Sequence, residues 1–137
     1  MLLIDTSVWI LVFRDRSGQC KTSLANLIGE QEIALSRFTQ MELLQGSRDE
    51  REWITLQEYL QGQTYLEADN QTWEAAARIY FDLRRQGKTV RSSIDCCIAQ
   101  LALDHQCILV HCDRDFEAIA QVRSLQSNFF SPEGETH

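Results

Sequence analysis

Apolar residues occur along this chain in two patterns, short continuous runs and longer segments in which they recur every three or four positions. The short runs lack the polar alternation of half-exposed strands, so they predict strands that are buried on both faces. Runs of this kind lie at residues 2–4, 33–35, 107–111 and 125–130. Residues 64–66 fit a further strand or a plain connection equally well.

The longer segments have the spacing of amphipathic helices. They predict helices at residues 7–13, 22–28, 38–45, 49–60, 72–85, 93–105 and 114–120. In the helix at 72–85 the predicted core face consists of Trp73, Ala76, Ala77, Tyr80 and Leu83. Because strands and helices alternate, the pattern predicts an α/β fold with three layers (α/β/α) around a central, mostly parallel sheet of about five strands.

Chain length and composition set wider limits. The 137 residues suffice for one domain, which we expect at residues 1–130, followed by a flexible tail at 131–137 that contains the only proline. The apolar N-terminal segment has no basic leader and is interrupted by Asp5, which argues against a signal peptide and a membrane span. Five cysteines, two of them adjacent, fit no disulfide framework, so we expect a protein of the reducing cytoplasm.

A zinc site is a hypothesis that the histidines and cysteines near the C-terminus invite. The residues concerned are His105, Cys107, His111 and Cys112. Their spacing matches no common zinc motif, and in a strand Cys112 would face away from Cys107 and His111. We therefore expect buried structural cysteines here.

Acidic residues follow two predicted strands and begin two predicted helices. Asp5 comes directly after the first strand, Glu42 and Asp95 fall in the predicted first turns of two helices, and Asp113 follows the strand at 107–111, with Asp115 two residues on. For each acid alone, a structural role as a helix cap or as a partner of the helix dipole explains its position as well as a functional role does. Together they would converge, because the carboxyl ends of parallel strands share one edge of the sheet.

Four carboxylates in one crevice repel each other and lose solvation, and protonation or a bound cation must relieve the strain. An all-oxygen cluster favours Mg²⁺ or Mn²⁺, ions suited to hydrolysing phosphodiesters. Glu42 or Asp95 is a candidate to orient or deprotonate the attacking water. The hydroxyls of Thr6 and Ser7 would orient Asp5 or cap the first helix.

Four segments resemble the motifs of PIN domains, particularly those of VapC-type toxins from type II toxin–antitoxin modules. They are residues 3–10, 39–43, 93–99 and 109–116, and the resemblance extends from residue 2 to about 130. It implies a Mg²⁺-dependent endoribonuclease with Asp5, Glu42, Asp95 and Asp113 as catalytic acids, and we assign the metal to Asp5, Asp95 and Asp113.

The same resemblance implies further residues and partners. Asp115 matches an additional acid of many family members, whereas His111 stands where the family commonly has Thr or Ser. That histidine would contact a phosphate or simply pack at the end of its strand. The family also implies a homodimer and inhibition by an antitoxin whose C-terminal segment covers the active groove.

A net charge of −7 argues against a protein that grips nucleic acid over its whole surface. RNA would need local cations, and those near the predicted sheet edge are Arg14, Arg16, Arg37, Lys88, Arg91 and Arg114. Arg37 and Arg91 are the preferred pair because each precedes an acid-bearing helix turn, although solvated surface charge explains any one of these residues as well.

Three other functions stay open at this point. A PIN nuclease for RNA processing would share the same residues without being a toxin. A receiver-like signalling domain also binds Mg²⁺ at a sheet edge, but it expects an acidic neighbour beside Asp5 and a lysine beyond Lys88, and neither is present. An inactive PIN scaffold is disfavoured because every acid is retained.

Overall fold

The computed structural model describes residues 1–131, which form a five-stranded sheet with the order β3-β2-β1-β4-β5. Every neighbouring pair is parallel, so the predicted sheet is confirmed. Its strands are β1 (Leu2–Ile4), β2 (Ile33–Ser36), β3 (Tyr65–Leu66), β4 (Ile108–His111) and β5 (Ser127–Phe129). Apart from Ser131, the predicted flexible tail lies outside the described residues.

Helices cover both faces of this sheet. They are α1 (Thr6–Arg14), α2 (Gln19–Ile28), α3 (Arg37–Gln45), α4 (Glu50–Gln61), α5 (Asn70–Arg85), α6 (Ser93–Asp104) and α7 (Asp115–Val122). One core packs α5, α6 and α7 against Leu3 and Leu109, and the other packs α1 to α4 against Leu2, Ile4 and Val110. Successive strand residues thus face opposite layers, which confirms the three-layer fold.

Helix starts are where the sequence predictions most needed correction. α3 begins at Arg37, because the hydroxyl of Ser36 accepts a hydrogen bond from the amide of Thr39 at 3.1 Å and caps the helix. Glu42 therefore lies in the second turn, not in the first turn as predicted, and it does not cap the helix. α2 begins three residues early, at Gln19, beside the Asp15 carboxylate that accepts from the amide of Cys20.

The core face of α5 is also rotated from the predicted one. Trp73 is 52% exposed, whereas Ile79, which was not assigned to the core, is fully buried. The hydroxyl of Thr72 fixes this orientation, since it reaches both the capping Asp69 at 3.1 Å and Asp104 of α6 at 2.9 Å. Periodicity alone did not predict this buried polar contact.

The rotation can be tested by comparing two truncations on the same helix. Ile79→Ala should lower the free energy of unfolding by about 2–5 kcal/mol, because it leaves a cavity in the core. Trp73→Ala should cost about 1 kcal/mol or less, since it removes mainly an edge contact with Phe38. Urea unfolding followed by circular dichroism measures both, and equal losses would contradict the observed orientation.

Candidate metal centre and active site

β1 and β4 lie side by side where the strand order reverses, so the crevice at their carboxyl ends is the natural position for a site. Asp5 directly follows β1, and Asp113 lies two residues beyond β4. The backbone amide of Asp5 donates to the carbonyl oxygen of Val110 at 2.9 Å, which extends the strand pairing up to the first acid. Strand pairing thus carries both acids to the same edge.

Asp5 is the N-cap of α1, so the expected capping by Thr6 or Ser7 is corrected. Its Oδ2 accepts hydrogen bonds from the amide of Ser7 at 3.0 Å and from the hydroxyl of Ser7 at 2.6 Å. The same Ser7 oxygen accepts from the amide of Cys112 at 3.1 Å, beside Asp113. Ser7 therefore orients Asp5 and ties α1 to the end of β4.

Asp5 is buried, with 5% of the residue exposed. Burial raises its pKa, the hydrogen bonds from Ser7 act against that shift, and the negative charge of Glu42 adds to it. A carboxylate at this position is therefore energetically costly unless positive charge compensates it.

Glu42 is held by a chain of buried hydroxyls. Its Oε1 lies 2.8 Å from the hydroxyl of Thr6, which in turn lies 2.9 Å from the hydroxyl of Thr39. An ionised carboxylate can only accept, so the single Thr6 hydrogen points at Glu42 and Thr6 accepts from Thr39. Ser36, 3.3 Å from the Thr39 hydroxyl, completes the chain, which fixes Glu42 although it lies deeper in α3 than predicted.

Asp95, Asp113 and Asp115 form the tightest acidic group among the described residues. One carboxylate oxygen from each lies within 4.8 Å of the other two. Asp95 and Asp115 stand in the first turns of α6 and α7, and Asp113 accepts the amide hydrogen of Asp115 at 2.9 Å. Asp115, expected only as a supporting residue, is thus as central as Asp113, while Asp5 lies outside this trio.

Asp95 shows the combined effect of burial and charge repulsion in this group. Burial raises its pKa to about 7, together with the negative charges of Asp5, Asp113, Asp115 and Glu42. A half-buried cluster of carboxylate oxygens with an unmet demand for positive charge fits a hard divalent cation. The donor set contains neither sulfur nor imidazole, so this cluster suits Mg²⁺ or Mn²⁺ better than zinc.

Arg91 supplies part of the missing positive charge. Its Nη2 lies 2.9 Å from Asp113, and both its Nε and its backbone amide contact Asp115, at 3.2 and 3.0 Å. These acids raise the pKa of the guanidinium. The side chain is nevertheless 78% exposed, so much of it remains open to a ligand.

The other predicted RNA-binding cations lie in different surroundings. Arg37 pairs with Glu67 at 2.7 Å and lies 4.0 Å above the ring of Tyr65, and Lys88 donates to Gln121 of α7. Arg114 is exposed just before α7. Of these residues, Arg91 is the one joined by ion pairs to the acids.

Arg14 and Arg16, considered as RNA contacts in the wider set, line an open groove together with Glu42. They therefore lie near Glu42 and the C-terminal end of α1, whereas Arg91 lies in the segment that leads into α6.

His111 is 1% exposed and packs between Phe116 and Phe129, with ring centroids 4.9 and 5.6 Å away. Its Nδ1 accepts a hydrogen bond from the amide of Asp113 at 3.3 Å, and burial lowers its pKa. A buried neutral ring does not reach a phosphate. The hydrogen bond to Nδ1 instead helps to position the backbone of Asp113.

Two features of the site escaped the sequence analysis. The hydroxyl chain from Ser36 to Glu42 joins α1 and α3, which are far apart in sequence. The only sign of it in the sequence is the presence of hydroxyl residues near Asp5 and Glu42. The contact of Arg91 with both Asp113 and Asp115 depends on how the loop before α6 folds over α7, and residue spacing carries no sign of it.

An acidic crevice at the switch point of a parallel sheet occurs in more than one class of protein, and the sequence decides between them. The chain belongs to the PIN-domain family, whose model its sequence matches over residues 2–122. More particularly, it is similar to VapC proteins. It is 39% identical over 133 residues to VapC ribonuclease Mb1587 of Mycobacterium bovis and to ribonuclease VapC11 of Mycobacterium tuberculosis, with 95% of this chain and 99% of each relative covered.

Solved structures agree on the fold. VapBC-1 from nontypeable Haemophilus influenzae has a TM-score of 0.74 at 22% identity, covering 93% of this chain and 96% of that one. VapBC2 from Rickettsia felis, bound to a promoter DNA fragment, has a TM-score of 0.76 at 14% identity and covers 95% and 98%. Family membership sets aside the receiver-like alternative. No helix within residues 1–131 has the length and apolarity needed to cross a membrane.

The burial of Asp95 and its repulsion by neighbouring acids predict a pH-dependent stability difference in the metal-free protein. A folded-state pKa raised from 3.8 to about 7 leaves stability unaffected below about pH 4, lowers it progressively as pH rises, and lowers it fully above pH 7. In EDTA, Asp95→Asn should therefore exceed the wild type in free energy of unfolding by about 1–2 kcal/mol at pH 8 and by much less at pH 5.

Urea unfolding at pH 5, 6, 7 and 8 measures this difference. Asp49→Asn is the matched control, because asparagine caps a helix as well as aspartate does and Asp49 is not among the charges that raise the pKa of Asp95. A difference between Asp95→Asn and wild type that stays constant with pH would contradict the raised pKa of Asp95.

Proposed function

We propose that this protein is an endoribonuclease that hydrolyses RNA phosphodiester bonds with the help of Mg²⁺ or Mn²⁺, and that it is the toxin of a toxin–antitoxin pair. The observation that carries the proposal is the trio of carboxylates within 4.8 Å, flanked by Asp5 and Glu42, in a PIN-domain chain. Its curated relatives at 39% identity are named ribonucleases.

Asp5, Asp95 and Asp113 would hold the cation, with Asp115 beside the latter two. When bound, such an ion supplies Lewis acidity, which lowers the pKa of an attacking water and neutralises charge on the phosphate. Ser7 keeps Asp5 in place through its 2.6 Å hydrogen bond. All these ligands are carboxylates, so the site favours Mg²⁺ or Mn²⁺ over softer metals.

Glu42 is the proposed proton acceptor for the attacking water. Thr6 holds its Oε1 at 2.8 Å, which leaves Oε2 to accept a proton. Arg91, already oriented by Asp113 and Asp115, would bind a phosphate oxygen with its exposed N–H groups. Catalysis would thus combine fixed carboxylates with a guanidinium that lies directly beside two of them.

The toxin assignment is supported by the solved structures that share this fold. Similar structures include a toxin–antitoxin complex from Klebsiella pneumoniae and VapBC-5 of Mycobacterium tuberculosis, a member of a toxin–antitoxin family, with TM-scores of 0.69 and 0.67. We infer a cognate antitoxin and a homodimer, working in the cytoplasm.

Induced expression should arrest growth, and co-expression of the antitoxin should restore it. Normal growth with full RNA cleavage in vitro would favour a processing nuclease instead.

Cleavage of total cellular RNA by purified protein tests the enzymatic proposal. With Mg²⁺ the wild type should give discrete fragments, EDTA should abolish them, and Asp5→Asn should lower the rate by roughly 100-fold or more. Asparagine retains the helix cap of α1, so the variant should stay folded. Asp49→Asn, the same change at the cap of α4, should cleave like the wild type.

The assay is decisive once bound antitoxin has been ruled out by denaturing mass spectrometry. A folded, partner-free protein that leaves RNA intact in Mg²⁺ and in Mn²⁺ would contradict the proposal and favour the inactive scaffold. Equal cleavage by wild type and Asp5→Asn would place the chemistry elsewhere.

A further inference from the structure

An open pocket of about 540 Å³ lies between α5 and the segment that leads into α6. It is lined by Ala77, Tyr80, Arg91, Ser92 and Ser93. The small side chain of Ala77 leaves room beside the ring of Tyr80, and the described residues offer no hydrogen-bond partner to the hydroxyls of Tyr80 or Ser93. The pocket thus offers an aromatic face together with unused polar groups.

Arg91 joins this pocket to the acidic trio. The same guanidinium that lines the pocket contacts Asp113 at 2.9 Å and Asp115 at 3.2 Å. A chain of atoms that binds across Arg91 would therefore touch the candidate metal centre at one end and the pocket at the other. A ligand of the pocket is for this reason a neighbour of whatever is bound at the acids.

The chemistry of the lining fits a nucleotide. Arg84 lies 5.9 Å from the centroid of the Tyr80 ring, so a second guanidinium lies near the ring that lines the pocket together with Arg91. Proteins bind single-stranded nucleic acid by stacking bases on aromatic rings and placing cations along the phosphates. The chain as a whole carries a net charge of −7. Because cations gathered at one place on an acidic protein attract polyanions, they favour a nucleic-acid strand as the ligand over the acidic surface of another protein.

We propose that this pocket holds the base of a nucleotide adjacent to the cleaved phosphate, with Tyr80 as the stacking platform and Arg91 as the contact to the intervening phosphate. The inference rests on the proposed function, because it takes RNA as the substrate. It assigns to Tyr80, Ala77 and Ser93 a part in substrate binding and in the choice of cleavage sequence.

RNA binding by matched variants tests the pocket. All proteins carry Asp5→Asn so that RNA persists, and the probe is a fluorescein-labelled single-stranded RNA dodecamer of random sequence in Mg²⁺. Tyr80→Leu removes the ring, and Ala77→Leu fills the pocket at an exposed helical position. The controls are Tyr59→Leu and Ala25→Leu, the same changes at exposed positions of α4 and α2 that do not line the pocket.

Fluorescence anisotropy should show the dissociation constant rising roughly tenfold for Tyr80→Leu and Ala77→Leu and less than twofold for both controls. The salt dependence of binding should keep its slope in Tyr80→Leu, because stacking involves no counterion release. All variants should show the same thermal midpoint within a few degrees, which separates lost binding from lost folding.

Each contrary result has a distinct meaning. If all four variants bind RNA like their parent, the nucleotide pocket is refuted, and RNA cleavage by the wild type still decides whether the protein is a nuclease. If the wild type cleaves no RNA but the two pocket variants lose RNA binding, the nuclease fails and the pocket stands as an RNA-binding surface.

Discussion

The parallel pairing of β1 with β4 is the constraint on which the site depends. Its register places Leu2 beside Ile108 and Ile4 beside Val110, so the two strands end together and release Asp5 and Asp113 at one edge. The hydroxyl of Ser7 fastens this junction by bonding Asp5 and the amide of Cys112. A one-residue slip would turn the buried strand residues to the wrong layers and part the acids.

The second consequence of this geometry is electrostatic. Asp5 caps α1, and Asp95 and Asp115 occupy the first turns of α6 and α7, so the positive ends of three helices favour the carboxylates. That support is insufficient, since the pKa of Asp95 still rises to about 7. Arg91 relieves the strain only at Asp113 and Asp115. The fold therefore concentrates negative charge at this edge of the sheet, and a bound cation together with Arg91 would neutralise it.

The layers of the fold and the neighbourhood of the acids could be predicted from sequence because both follow from short-range patterns. Apolar runs such as the one in β1 require burial on both faces, and an acid after such a run must lie at the sheet edge. The rotation of α5 could not be predicted, because it depends on the contacts of the Thr72 hydroxyl with the carboxylates of Asp69 and Asp104, and a periodicity argument treats a threonine as neutral. The same limit applies to Glu42, whose position depends on Ser36 as the helix cap.

Binding of Mn²⁺, followed by the loss of the free-ion electron paramagnetic resonance signal, tests most directly whether these acids form a cation site. We expect saturable uptake by the wild type and by Asp49→Asn, displacement by excess Mg²⁺, and binding weakened tenfold or more in Asp95→Asn and Asp113→Asn. Uptake that is absent below millimolar Mn²⁺, or equal in all four proteins, would contradict the assignment of the acidic cluster as a metal centre.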